Sequence, residues 1–287
     1  MLLVRRQIGK LCYEKVGFLL GFVVQNREKI RLMQIISKVV FVITFLNFTV
    51  SAFSKSTDST RVPSHFSGVI TATNNGISLI PAFSLGKPAV LFDLSLGKGR
   101  LSFDPMLRFS MEGKPWAFIF WWRYKLIAKK HSALTLGAHP SFVFRTISAS
   151  NAIPNEYLSV QRYFAWEATP TYILNKKTSF AVNYLGSHGL TKDIIQYTHF
   201  AAFRGIFSNL TLGRHLALTV IPQFYYLKLD ANQGTYVNAT VILSKHNFPI
   251  SLSSIVSKAI ETEIVGKDFI WNIALNYNIN NRYLKLH

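Results

Sequence analysis

The chain is dominated by short stretches in which apolar and polar residues alternate, and nearly all of these stretches end in a turn. In Leu101–Glu112 the odd positions are all apolar and the even positions are mostly polar or charged. A period of two predicts β-strands whose two faces lie in different environments. Since about a dozen such stretches follow one another with short connections, we expect an all-β fold of neighbouring antiparallel strands.

The composition indicates an apolar environment for one of the two faces. The 287 residues are 49% hydrophobic, 14% aromatic and 16% charged, and the mean hydropathy is +0.21; soluble domains usually carry about 25% charged residues. From residue 53 onward no run reaches the ~18 apolar residues that a spanning helix needs. A closed barrel remains as the membrane fold, because lipid tolerates no unpaired backbone groups.

The polarity of the two faces separates a membrane barrel from a soluble β-sandwich, which would present a polar outer face. Here each strand has a wide aromatic and aliphatic face, and the other face mixes small, polar and charged residues. We therefore predict a closed antiparallel up-and-down transmembrane β-barrel. Thirteen segments alternate, among them Ile77–Gly86. Bacterial barrels have even strand numbers, so we discount Phe66–Asn74 as the weakest alternator and predict about twelve strands, with ten and fourteen as alternatives.

The N-terminal region has the pattern of a secretory signal. Residues 33–52 combine a basic residue, Lys38, with the apolar core Val39–Val50 and a small-residue site ending at Ala52, after which we expect cleavage. Residues 1–32 are interpreted as an upstream extension, with translation from Met33; an amphipathic segment at Val16–Val24 that touches the inner membrane is the alternative. The mature chain would comprise a flexible arm at 53–65 and the barrel at 66–287, without the single Cys12.

The formal net charge of +19 predicts anionic partners. We expect the surface and loop charges to contact membrane lipid and lipopolysaccharide, with an anion-selective lumen as the alternative. Protein partners in the outer membrane are expected if the barrel is a subunit of a complex. A nucleic-acid partner is not expected, because the sequence has no binding motif and no basic helix.

If the apolar faces contact lipid, charged residues on the opposite faces line the lumen. Either these charges pair and stabilise the barrel, or the basic ones form a ladder that guides an anionic solute. The predicted lumen-lining charged residues are Arg108, Arg123, Lys125, Arg145, Arg204, Asp93, Asp104, Glu112 and Glu167. Tryptophan and tyrosine should mark the membrane interfaces. The predicted aromatic girdle comprises Trp116, Trp122, Tyr124, Trp166, Tyr172, Tyr226, Trp271 and Tyr277.

Enzymatic chemistry has weak support. His139 and Ser141 share a strand face, about 7 Å apart, but no acid that could orient the histidine is evident. Ser187 and His188 are adjacent and would face opposite sides. No spacing typical of a metal site occurs, and no cofactor is expected. We predict that the chain is not an enzyme, with a barrel lipid hydrolase as the distant alternative.

The signal ending at Ala52, short turns such as Gly113–Pro115 and the final amphipathic strand Phe269–Ile279 together resemble Gram-negative outer-membrane β-barrels, in the style of the small barrels of Bacteroidota. The resemblance covers residues 66–279. Such barrels often end in an aromatic residue, whereas this chain continues to His287. The resemblance implies an outer-membrane protein, for which we expect a narrow passive channel for small polar or anionic solutes. The alternative is a structural or interaction barrel with a salt-bridged, plugged lumen.

Overall fold

The computed structural model describes residues 64–78, 80, 83–148, 156–213 and 215–282. The predicted upstream extension, the signal peptide and nearly all of the arm lie outside the described residues. Within them the chain contains no helix with the length and hydropathy needed to cross a membrane. It forms strands β1 Ser64–Thr73, β2 Ala89–Lys98, β3 Leu101–Ser110, β4 Pro115–Ala128, β5 Ser132–Ser148, β6 Glu156–Ile173, β7 Thr178–Gly189, β8 Tyr197–Leu212, β9 Leu216–Leu229, β10 Asn232–Lys245, β11 Ile250–Thr262 and β12 Phe269–Arg282.

Each strand pairs with its neighbours in the chain, and β1 also pairs antiparallel with β12. The fold is therefore a closed up-and-down barrel of twelve strands, as predicted. The discounted segment was the wrong one, however. Phe66–Asn74 lies almost entirely in β1, whereas Ile77–Gly86 belongs to the connection between β1 and β2.

The two ends of the barrel differ in the length of their connections. At the end where β1 begins and β12 finishes, the termini end, all five turns are two to four residues long. At the opposite end, the loop end, the β1–β2 connection spans residues 74–88 and three others span six or seven residues. Short turns on one side and longer loops on the other are typical of outer-membrane barrels.

The tightest turns use residues that tolerate a left-handed backbone. The β2–β3 turn consists of Gly99 and Arg100, and Gly99 has φ +61°. The β9–β10 turn at the loop end places Asp230 at φ 52°. Two-residue hairpins favour turns with positive φ because their twist matches that of the strands.

Apolar side chains lie on the outside of the barrel. Along β12, Trp271, Ile273, Leu275 and Tyr277 are 48–56% exposed, while the intervening Asn272, Ala274 and Asn276 are buried. The same alternation occurs along β9, where Phe224 is exposed beside the buried Gln223 and Tyr225. An apolar surface that encircles the molecule far exceeds the patches found on soluble monomers.

The seam between β1 and β12 is reinforced by side-chain hydrogen bonds. Thr71 Oγ1 donates to Asn276 Oδ1 at 2.9 Å, and Asn75 Nδ2 donates to the Trp271 carbonyl at 3.0 Å. The backbone amide of Ile273 donates to Asn74 Oδ1 at 2.8 Å. These bonds supplement the backbone ladder at the pair that closes the barrel.

The loop-end half of the interior holds an apolar cluster. The Tyr225 ring lies 4.9 Å from that of Tyr236 and 5.3 Å from that of Phe200, centroid to centroid. Ile80, Trp121, Ala165, Leu185 and Leu227 belong to the same cluster. A twelve-stranded barrel is wider than the eight-stranded kind that side chains fill alone, so this cluster occupies only part of the cross-section.

We expect Phe200→Ala to lower the free energy of unfolding by about 3–5 kcal/mol, because it leaves a cavity in packed surroundings. Phe203→Ala on the same strand is the matched control: its ring is 53% exposed on the outer face, against 1% for Phe200, and should cost below about 1 kcal/mol. Urea unfolding of the refolded barrel in lipid vesicles measures both. Equal losses would contradict the assignment of the two faces.

Candidate functional site: the barrel lumen

The connection between β1 and β2 folds into the lumen. We call Gly76–Lys87 the inward loop. Its neck is closed by the Gly76 amide, which donates to the Lys87 carbonyl at 2.8 Å, and by the Leu85 amide, which donates to the Gly76 carbonyl at 2.8 Å. A Cβ on Gly76 would lie 3.0–3.1 Å from Trp116, Ala89 and Leu85, so the close approach of the neck to the wall favours glycine.

Two residues of the inward loop hold it against the barrel wall. The Trp116 indole Nε1 donates to the Phe83 carbonyl at 2.9 Å, and the Phe83 ring lies 5.3 Å from the Tyr163 ring. Ile80 packs in the apolar cluster and is 8% exposed. Through these residues the loop narrows the lumen at the loop end, since Ile80 and Phe83 contact the inner wall rather than lipid.

A three-residue charge network runs along the inner wall from β3 through β4 to β6. Arg123 Nη1 donates to Asp104 Oδ2 at 2.9 Å, and Arg123 Nε donates to Glu167 Oε1 at 2.7 Å. The Arg123 guanidinium also lies 4.3 Å from the centroid of the Trp121 ring. One cation thus bridges two carboxylates, and Ser95 and Asn183 donate further hydrogen bonds to Asp104 and Glu167.

Two other arginines in the lumen are differently placed. The Nε atoms of Arg108 and Arg204 are buried and have no hydrogen-bond partner. Arg108 lies over the Trp116 ring at 5.4 Å, and Arg204 pairs across the ladder with Gln223, whose Nε2 also lacks a partner. Unmade hydrogen bonds on buried polar groups are costly, so these two arginines are less completely satisfied by the wall than Arg123 is.

Arg108 and Arg204 lie where two internal cavities meet. A cavity of about 490 Å³ extends along β4–β7, and another of about 380 Å³ adjoins β9–β12 and β1–β2; both arginines line both cavities. A third space of about 790 Å³ contacts Asp93, Asp104 and Arg123. Polar space is therefore present beside the apolar cluster.

Only some of the predicted lumen-lining charged residues contact the internal cavities. Asp93, Asp104, Arg108, Arg123, Glu167 and Arg204 line the internal cavities. Lys125 is exposed towards the termini end of β4, and Arg145 lies on the same face of β5 as the buried Val143. The prediction was wrong for Glu112, because β3 ends at Ser110 and Glu112 lies in the exposed turn that follows.

Seven of the eight predicted girdle residues are exposed on the outer face. Tyr124, Tyr172 and Tyr277 pair with the first residues of β3, β5 and β11 at the termini end. Tyr226 and Trp271 lie nearer the loop end, and Trp122 and Trp166 lie closer to the middle of their strands.

Trp116 corrects the girdle prediction. It is 3% exposed and lines the larger of the two meeting cavities together with its neighbour Ala117. The register of β3 and β4 shifts between Arg108 and Phe109, opposite these two residues. Such a bulge lets two consecutive residues point inward and breaks the alternation on which the prediction depended.

His139 and Ser141 share the lumenal face, as their spacing predicts, but their surroundings give no catalytic arrangement. The His139 ring packs edge-on against Trp121 at 4.0 Å between centroids, and its Nδ1 has no hydrogen-bond partner. Among the described residues no group of three or more His, Cys, Asp or Glu is placed to hold a metal ion.

No protein-family model and no curated protein matches the chain. Among solved structures it is similar to the KdgM porin in complex with disordered oligogalacturonate (8% identity, TM-score 0.44, 75% of this chain and 99% of that chain). It is also similar to the COG4313 outer membrane channel from Pseudomonas putida F1 (9% identity, TM-score 0.43, 78% and 99%). A third is OmpT, an outer membrane protein of Vibrio cholerae (7% identity, TM-score 0.37, 78% and 100%). Similarity this low gives no functional information, which has to come from the lumen itself.

Proposed function

We propose that this chain is an outer-membrane β-barrel that acts as a narrow passive channel for small polar or anionic solutes. Its signal peptide would be removed after Ala52, and the barrel would insert with the termini end towards the periplasm, because outer-membrane barrels keep their short turns on that side. The encircling apolar face supports a lipid environment. The exposed tyrosines near the termini end fit a membrane interface.

The observation that carries a preference for anions is the junction of the two cavities. Arg123 is neutralised by Asp104 and Glu167, whereas Arg108 and Arg204 leave guanidinium nitrogens without partners. Asp93 is the remaining carboxylate that lines these cavities. The three arginines and three carboxylates that line the lumen balance in total, but Arg108 and Arg204 are the charged residues that line both meeting cavities. Positive charge is therefore concentrated where a solute would pass between the cavities, and basic side chains lining a pore favour anions.

Single-channel recording in a planar bilayer tests the proposal. The refolded barrel should give discrete steps whose size rises with salt concentration. Its reversal potential in a KCl gradient should have the sign of chloride preference. A folded, inserted barrel that passes no current would contradict the proposed channel.

We expect the double variant Arg108→Gln and Arg204→Gln to lower the chloride-to-potassium permeability ratio by about threefold or more, because both positive charges at the junction of the cavities are lost. The double variant Lys228→Gln and Lys258→Gln is the matched control, since it removes the same charge from exposed residues of β9 and β11. Its reversal potential should equal that of the wild type. Equal shifts in both variants would assign the selectivity to overall charge.

The structural or interaction barrel remains the second candidate. The inward loop and the apolar cluster favour it, because together they fill much of the loop-end half of the lumen. In this case the wild type would be silent in the bilayer and yet resist protease in vesicles. Partners would then be sought by mild cross-linking of the native envelope.

A further inference from the structure

The cations of the barrel are distributed unequally between its two ends. The five turns at the termini end contain no aspartate or glutamate, and among the described residues these turns and the residues that flank them carry seven exposed cations. We call these seven residues the basic ring: Lys98, Arg100, Lys129, Lys130, Lys176, Lys177 and Lys245. At the loop end acids and bases are mixed: the connections contain Glu112, Asp193, Asp230, Glu263 and Asp268 alongside four lysines.

The basic ring follows an ordered change in polarity along the outer wall. The exposed tyrosines Tyr124, Tyr172 and Tyr277 lie at the level of the first residues of β3, β5 and β11. The turns that carry the ring lie just beyond that level. An apolar wall, then tyrosines, then cations is the order in which a bilayer presents hydrocarbon, interface and phosphate groups.

Several of these cations lie on the outer side of the barrel. On β10, Lys245 lies an even number of positions from the exposed Val237 and Val241 and so shares their outer face. On β2, Lys98 shares the face of the exposed Leu96 in the same way. Arg100 Nη1 donates to the carbonyl of the outward-facing Leu126 at 3.3 Å. Long basic side chains at such positions extend their apolar stems along the wall and place the charge at headgroup level.

We propose that the basic ring binds the headgroups of anionic phospholipids in the membrane leaflet at the termini end. This inference rests on the proposed membrane location, but it does not require an open lumen. It assigns the surplus charge to phospholipid at the termini end. Lipopolysaccharide, which the net charge alone suggested, would meet the mixed charges of the loop end.

The test measures the association of spin-labelled phosphatidylglycerol, relative to phosphatidylcholine, with the barrel in phosphatidylcholine vesicles. The wild type should favour phosphatidylglycerol by about fivefold, the factor expected for one lysine at an anionic headgroup. The quadruple variant Lys129→Gln, Lys130→Gln, Lys176→Gln and Lys177→Gln should lower the ratio clearly below that of the wild type and leave only the preference due to Lys98, Arg100 and Lys245. The same four positions changed to arginine should keep the preference.

The matched control removes four lysines near the loop end: Lys87→Gln, Lys192→Gln, Lys228→Gln and Lys267→Gln. It should keep the wild-type ratio, and about 1 M salt should abolish the preference in every variant because the contacts are screened. Equal ratios in the two quadruple variants, or no preference in the wild type, would overturn the proposal. So would a termini-end variant whose reversal potential changes while its lipid ratio does not, because the ring would then act on the solute.

Insertion is verified separately by protease resistance in the same vesicles. A barrel that inserts and conducts without a lipid preference would refute the basic ring as a lipid site and leave the channel intact. A silent barrel with the lipid preference would refute the channel and leave the lipid site intact.

Discussion

Removal of residues 77–85, with Gly76 joined directly to Gly86, is expected to raise the single-channel conductance roughly threefold, because conductance follows the narrowest cross-section. The excision is compatible with the fold, since the Gly86 amide already lies 3.3 Å from the Gly76 carbonyl. It removes Ile80 and Phe83, which hold the inward loop against the apolar cluster and Trp116. Planar-bilayer recording of both proteins measures the change.

A loop-end control keeps this experiment specific. Val265 lies in the β11–β12 connection and is 91% exposed, so Val265→Ser should leave the conductance unchanged. A silent wild type with a conducting excision variant would mean that the inward loop is a plug. Equal conductance in both proteins would show that the loop does not limit the passage.

Replacement of Arg123 by methionine is expected to lower the free energy of unfolding by about 3 kcal/mol, since removal of one partner of a largely buried ion pair leaves uncompensated charge. Two carboxylates are affected by this one substitution, because Asp104 and Glu167 both lose the cation with which they pair. Their side chains are 15% and 10% exposed, so water compensates only a little. Urea unfolding followed by tryptophan fluorescence measures it.

Compensating changes identify the cause of that loss. Combining Arg123→Met with Asp104→Asn and Glu167→Gln removes the orphaned carboxylates and should recover more than half of the stability. Arg100→Met, at an exposed turn, should cost below about 0.5 kcal/mol. A triple variant as unstable as the single one would assign the loss to packing against Trp121 instead.

The sequence predicts the architecture well because a barrel wall separates two environments at every strand. The alternation of apolar and polar residues therefore predicted the barrel wall, its outward apolar face and a total of twelve strands. The alternation was misleading at Ile77–Gly86, where Ile80 and Phe83 pack in the apolar cluster instead of facing lipid. Sequence periodicity reports that a side chain avoids water, but it does not report which apolar surroundings it reaches.

The site was predicted only in part, because it depends on register. Arg123 and Glu167 were assigned to the lumen, but their contact joins positions 44 residues apart. The alternation of faces along a strand predicts neither the sharing of Arg123 between two carboxylates nor the unpartnered Nε atoms of Arg108 and Arg204. Trp116 shows the same limit locally, since one bulge reversed its face. Tyr163 and Phe83 were missed as lumen residues, and the sequence holds no signal for their contact.

The β1–β12 seam sets the order in which such a barrel can fold. The other eleven strand pairs join strands that follow one another in the chain, whereas Thr71 and Asn276 in the seam are 205 residues apart. Contacts of that separation form late, because the chain must first be ordered between them. Until then β1 and β12 are open edges able to pair with a strand of another chain. The hydrogen bonds of the seam asparagines would therefore form last, and they would favour pairing of β1 with β12 of the same chain over pairing with another chain.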